Sequence, residues 1–208
     1  MSPQQASFVR KAFIIGTGAV LALYLILQAW GAIGDKGPAT RIERLMSGIG
    51  AELVDQPMTP TQREYPLELG PDQRFDLRQL PQDTLIFLNF WATWCKPCRD
   101  ELPSMMQLRQ RLEGRRFQMV GVSYDPAWED IHAFFDKLGG GTPATKDLLV
   151  LRDPAGEREK SLRESFGTGA IPDTYVIYNG VVLSRFVDVR DWTDPAIVEY
   201  FQRLAPTP

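Results

Sequence analysis

Cysteine and histidine are nearly absent from this chain: two Cys and one His in 208 residues. That scarcity excludes a disulfide-rich scaffold and a four-ligand Cys/His zinc site within one chain. An excess of charge of one sign is lacking too. The formal net charge is −3, so charge makes no case for a nucleic-acid partner, and none is expected. The 44% apolar and 24% charged fractions exclude wholesale disorder and a polytopic membrane protein. The length suits one domain with something added, not two full domains. There are no internal repeats and no low-complexity tract. Gly139-Gly140-Gly141 lacks a following Gly-Lys-Ser/Thr, so it reads as a loop and not a phosphate cradle.

What is present begins with an uncharged run of 23 residues from Ala12 to Gly34. At 1.5 Å per residue it spans a hydrocarbon core of about 30 Å. Arg10 and Lys11 precede it, and Trp30 lies near its far end, where an interfacial aromatic sits. The run predicts a single-pass anchor in the cytoplasmic membrane. The alternative is a cleaved signal peptide, since Ala29, Gly31 and Ala32 would permit cleavage. Arg10 and Lys11 place the N-terminus inside, although Lys36, Arg41 and Arg44 follow the span. The C-terminal domain is therefore expected to face the periplasm or cell exterior. Without Arg10 and Lys11 the remainder is more acidic, and it has no electrostatic reason to lie on anionic lipid. The expected division is residues 1–11 as cytoplasmic tail, 12–34 as anchor or uncleaved signal, 35–64 as linker and 65–208 as the folded domain. Pro38, Pro57 and Pro60 punctuate the linker, with a short helix expected over Arg41–Ile49.

Beyond Tyr65 the patterning alternates. Leu67–Leu69 and Arg74–Leu77 flank the turn Gly70-Pro71-Asp72-Gln73 and read as a hairpin. Leu85–Phe90 is a continuous apolar run of strand length, as for a strand covered on both faces. Residues 96–113 predict a helix and Phe117–Ser123 a strand. Asp125-Pro126 opens a helix with Pro at its first position, presenting Trp128, Ile131, Phe134, Phe135 and Leu138. The glycine run ends it. Leu148–Leu151 predicts a short buried strand and residues 157–166 a helix. Thr174–Tyr178 and Val181–Val187 are strands joined by Asn179-Gly180, a type I′ hairpin signal. Asp194-Pro195 caps a last helix. The result is an α/β order, β-β-β-α-β-α-β-α-β-β-α, with a mixed sheet and helices on its faces.

Both cysteines fall in Asn89-Phe90-Trp91-Ala92-Thr93-Trp94-Cys95-Lys96-Pro97-Cys98, where a buried strand passes into a helix. That context puts Cys95 at a helix N-terminus. There the unpaired N–H groups and the macrodipole favour an anion and lower a thiol pKa below its free value of about 8.5. Lys96 adds a positive charge nearby. Cys98, one turn on, is close enough to close a disulfide and more buried. Such a pair attacks a substrate disulfide through Cys95 and resolves the mixed disulfide through Cys98. A structural disulfide closing so short a loop constrains the unfolded chain little. A shared zinc site lacks a second Cys pair or His cluster. His132, on the helix after Pro126, reads as a polar-edge residue, and Met105 and Met106 as core rather than copper ligands.

The stretch from Asn89 through Cys98 and on to Arg99-Asp100-Glu101-Leu102-Pro103 resembles the active site of thioredoxin-like proteins. It is similar in particular to the membrane-anchored, extracytoplasmic thiol–disulfide oxidoreductases of the TlpA/ResA type, over roughly residues 65–204. The resemblance implies a thioredoxin fold with an inserted helix and strand and an N-terminal hairpin, behind one transmembrane helix. It implies a cis bond at Pro172, with Ile171-Pro172 packed against the Cys pair and presenting backbone to an extended substrate. The family commonly has threonine after this proline, and Asp173 departs from that. Pro103 falls where the family kinks its active-site helix. Glu101 matches a glutamate that the ResA-type subgroup places near the cysteines, where a carboxylate would accept or relay the thiol proton; its other reading is a solvated acidic residue in the first helical turn. Asn89 stands where thioredoxins proper have a buried aspartate, so no proton passes through that position. Trp94 is expected to cover the disulfide and shape the docking surface, with Trp91 packing inside. Lys96 and Pro97 tune the redox potential.

The function implied is reduction of protein disulfides, with Cys95 as nucleophile and Cys98 as resolving thiol. A membrane electron donor of the DsbD/CcdA kind and substrates such as apocytochrome c or copper-site assembly factors are the implied partners. No metal, and no cofactor beyond the Cys95–Cys98 disulfide, is expected. The alternatives are a disulfide-forming oxidant and a non-catalytic thioredoxin-fold binding module or metallochaperone. A peroxiredoxin is disfavoured, because no cysteine sits alone on a helix after a Pro-x-x-x-Thr pattern.

Overall fold

The fold is built on one strand, β4 (Leu85–Trp91), whose seven residues are all buried. We describe it from a computed structural model covering residues 45–138, 144–145, 147–154 and 161–208. The expected span 12–34 and the glycine run 139–141 lie outside the described residues. No helix among those described is long and apolar enough to cross a membrane.

Before β4 come β1 (Glu52–Pro57), α1 (Pro60–Glu64), β2 (Leu67–Gly70), β3 (Gln73–Phe75) and a 3₁₀ turn, Leu77–Gln79. After it come α2 (Lys96–Arg111), β5 (Phe117–Ser123), α3 (Trp128–Lys137), β6 (Ala144–Thr145) and β7 (Leu148–Arg152). The chain closes with α4 (Leu162–Ser165), β8 (Asp173–Tyr178), β9 (Val181–Val187) and α5 (Pro195–Leu204). The sheet runs β1-β9-β8-β4-β5-β7-β2-β3, with β6 paired to β7. The β4–β5 and β5–β7 pairs are parallel, and β4–β8 and β8–β9 antiparallel. This is the mixed sheet that the patterning predicted. Asn179 and Gly180 both have positive φ, 48° and 77°, as a type I′ turn between β8 and β9 requires.

Strand alternation explains the two cores. Leu85, Phe87 and Trp91 face one side of the sheet, with Met105 and Leu108 of α2 and Phe201 of α5. Ile86, Leu88 and Phe90 face the other, with Leu67, Leu162 and Phe166. By the same parity Asn89 points to the side of Phe87 and Trp91, where α2 packs. Gly121, opposite Asn89 on β5, leaves room for Trp91: a Cβ there would lie 3.0 Å from the indole Nε1.

Three expectations need correction. The expected linker runs to residue 64, yet β1 pairs with β9 and Met46, Ala51 and Met58 are buried. β1 is an edge strand, exposed at five of its six positions. Backbone pairing holds it, so it shows no apolar alternation. Its register shifts between Leu53 and Gln56, where Asp55 has φ 48°. Second, Pro126 does not start α3. Ala127 is the N-cap and Trp128 the first residue, because the Asp125 carboxylate is occupied by Thr93 and Ser123 and does not cap. Third, of the helix expected over 157–166, residues 157–160 lie outside the described residues, and Ser161 is not helical but the N-cap, its capping box with Glu164 opening α4 at Leu162.

Candidate active site

The site stands where β4 passes into α2. Cys95 is the N-cap of α2, with Lys96 and Pro97 in the first turn, where proline costs no hydrogen bond. The Cys98 N–H donates to Cys95 Sγ at 3.3 Å, so the sulfur occupies the position of a capping oxygen. Cys95 and Cys98 are joined as a disulfide with Cα atoms 5.3 Å apart. Both are buried, Cys98 the more so. The Ile171–Pro172 bond is cis, and the Ile171 carbonyl oxygen lies 3.7 Å from Cys95 Sγ. The chain thus meets Cys95 with backbone rather than side chain.

The loop before Cys95 is fastened from below. Asp125 is buried, and its carboxylate accepts from the Thr93 N–H at 2.9 Å, the Thr93 hydroxyl at 2.5 Å and the Ser123 hydroxyl at 2.5 Å. Between the Thr93 anchor and Cys95, Trp94 is 60% exposed. Trp91 is buried against Phe134 and Phe135.

Glu101, one turn beyond Cys98, is not solvated: it is 2% exposed. Its Oε1 accepts from Asn89 Nδ2 at 3.1 Å, and Oε2 from the Arg190 N–H at 3.2 Å and Trp192 Nε1 at 3.1 Å. Asn89 Nδ2 also donates to Thr174 Oγ1 at 2.9 Å. Burial raises the Glu101 pKa to about 7, against the downward pull of these donors and the Arg190 charge. A small cavity, with room for about one water, lies against Cys98 and Asn89, beside Trp91 and Gly121.

The structure therefore brings together Cys95, Cys98, Ile171 and Pro172, with Glu101 behind them. The solvated reading of Glu101 is overturned. The exposed ammonium of Lys96 pairs with Asp100 at 2.6 Å. His132 is exposed, its ring 5.9 Å from that of Trp128, and Met105 is core. Among the described residues, no cluster of His, Cys, Asp or Glu is fit to hold a metal. Sequence reasoning missed Thr93, Asp125, Thr174, Arg190 and Trp192. The last two lie about ninety residues from Glu101, and no spacing rule links them to it.

A thioredoxin-like α/β fold with a Cys pair at the β4–α2 junction and a cis-proline opposite defines the class. Residues 62–184 match the AhpC/TSA family, and the chain belongs to it. It is 28% identical over 121 residues to the thiol-disulfide oxidoreductase ResA of Geobacillus thermodenitrificans, covering 58% of this chain and 63% of the relative. It is 31% identical over 139 residues to a Pasteurella multocida protein described as thiol:disulfide interchange protein DsbE-2, covering 66% and 65% respectively. The chain thus spans a little under two thirds of the length of these curated relatives. A Chlorobium tepidum structure described as thiol:disulfide interchange protein DsbE superposes with a TM-score of 0.54 at 27% identity. It covers 73% of this chain and 95% of that one.

Proposed function

We propose that this chain reduces protein disulfides by thiol–disulfide exchange. The observation that carries the reading is the placement of Cys95 Sγ: at the N-terminus of α2, bonded to Cys98 and faced by the backbone of a cis-proline loop. In the reduced pair, the helix terminus stabilises the Cys95 thiolate. That thiolate attacks one sulfur of the substrate disulfide; the substrate S–S bond breaks, and one substrate thiolate leaves and is protonated. Cys98 then gives its proton towards Glu101, across the cavity that Cys98 and Asn89 line, and attacks Cys95. The mixed disulfide breaks, the second substrate thiol is released and the Cys95–Cys98 bond forms. Two electrons pass to the substrate. A carboxyl with a pKa of about 7 is about equally ready to take and return a proton near neutral pH. Asn89 cannot carry that proton; its amide orients the carboxylate.

Trp94, exposed beside the disulfide, and Ile171 would form the surface that meets the substrate, with Lys96 and Pro97 adjusting the potential. The relatives named for disulfide interchange support protein disulfides as the substrate class. Apocytochrome c or copper-site assembly factors as substrates, and re-reduction by a donor of the DsbD/CcdA kind, extend this reading. Residues 12–34 would anchor the domain outside the cytoplasm, with the disulfide as the only redox group. Alkaline carbonate extraction tests the anchor: retention in the membrane fraction supports it, and release contradicts it.

Equilibration with glutathione and thioredoxin buffers tests the direction. A reductant is expected to have a reduction potential near about −270 mV, whereas one near about −120 mV would make the chain a disulfide-forming oxidant.

A further inference from the structure

The segment that presents Ile171 to Cys95 begins at the end of α4 and turns into β8 at the cis bond. Asp173 follows that bond. By strand alternation it lies with Tyr175, on the sheet face opposite the disulfide. Its side chain has no exposed surface and pairs with Arg185 of β9, Nη2 to Oδ2 at 2.7 Å and Nε to Oδ1 at 3.0 Å. The Thr168 hydroxyl donates to the same carboxylate at 2.6 Å. Arg185 Nη2 also reaches the Gly167 carbonyl at 3.4 Å. Tyr175, with the Arg185 guanidinium over its ring, donates its hydroxyl to the Phe166 carbonyl at 2.8 Å. Three consecutive residues, Phe166, Gly167 and Thr168, are thus each fastened to the Asp173–Arg185–Tyr175 group. All three lie a few positions before Ile171.

We propose that the Asp173–Arg185 pair positions the cis-proline loop for polypeptide substrates, so that this chain favours disulfides carrying peptide backbone over small ones. The proposal rests on the reading of Cys95–Cys98 as an exchange pair. Without the Asp173 charge, Arg185, 22% exposed, keeps the more distant Glu52 carboxylate at 3.8 Å, and the hold of position 173 on residues 166–168 weakens. An amide at position 173 would set N–H donors against the guanidinium N–H groups. A displaced loop moves the Ile171 backbone relative to Cys95 Sγ. A disulfide flanked by peptide groups meets that backbone. A disulfide without peptide groups meets only the sulfur. The pair is a positioning pair and touches no reacting atom.

The test is single-turnover reduction, by the pre-reduced full-length protein, of insulin and of bis(2-hydroxyethyl) disulfide. In Asp173→Asn the half-saturating insulin concentration is expected to rise about tenfold, with the maximal rate and the small-disulfide rate each within about twofold. Arg185→Lys keeps the charge but loses the forked contact, and is expected to show the same split in smaller measure. If Asp173→Asn does not fold, the Arg185→Lys comparison decides. Equal losses on both disulfides would make the pair a fold-holding contact only and overturn the proposal. Insulin kinetics unchanged in both variants would overturn it as well. If the unaltered protein reduces neither disulfide, the exchange reading itself fails and takes this proposal with it.

Discussion

Glu101 shows at the residue scale how one environment sets one chemistry. Its carboxyl ionises near 4.5 when exposed and near 7 in the fold. The unfolded chain therefore releases this proton first as pH rises. The stability contributed by the folded proton is fully present below about pH 4.5. It is lost by about pH 7, by about 3 kcal/mol in all. Glu101→Gln is expected to flatten that stretch of the stability curve, measured by urea unfolding at both ends of the range. It is also expected to slow resolution of the mixed disulfide by about a hundredfold and to remove the step near pH 7 from its rate profile. An unchanged profile would assign the proton to another group. The position of Glu101 relative to Cys98 was legible in the sequence, but its burial was not. The lid over it comes from the chain after β9, where Trp192 packs on Phe87 with ring centroids 4.7 Å apart. A tryptophan so placed carries no local signature.

At the scale of elements, legibility followed the source of each element's stability. β4, β5, β8 and β9 are held by burial, and their apolar runs or alternation marked them out within a residue or two. α5 announced itself through Asp194 and Pro195, which cap it as expected. β1 is held by hydrogen bonds to β9 and by Met46 and Ala51 near its start. Its own side chains mostly face solvent, so it read as tether. A chain shortened to begin at Met58 is accordingly expected to be less stable than one beginning at Met46, by about 2–4 kcal/mol for the lost apolar burial. Denaturant midpoints of the two measure this, and equal midpoints would return residues 46–57 to the linker. The shortened chain also exposes the β9 edge, which favours self-association.

At the scale of the whole molecule, two loops converge on one sulfur, and each is tied back by a buried aspartate. Asp125 holds the loop carrying Trp94, and Asp173 holds the loop carrying Ile171. The sequence marked Asp125 as a helix opener and Asp173 as a departure from the family's threonine, but neither of these roles, because each acts through partners brought in by the sheet. The Cys pair and the cis-proline did stand out: strand–turn–helix patterning marks one, and the family resemblance at Ile171-Pro172 implies the other. The central claim is that Cys95 is the attacking thiol of a disulfide reductant. Insulin reduction by the dithiothreitol-reduced protein and by Cys95→Ser tests it most directly. The account predicts rapid reduction by the unaltered chain and loss to the uncatalysed background in Cys95→Ser. Activity retained in Cys95→Ser would contradict it.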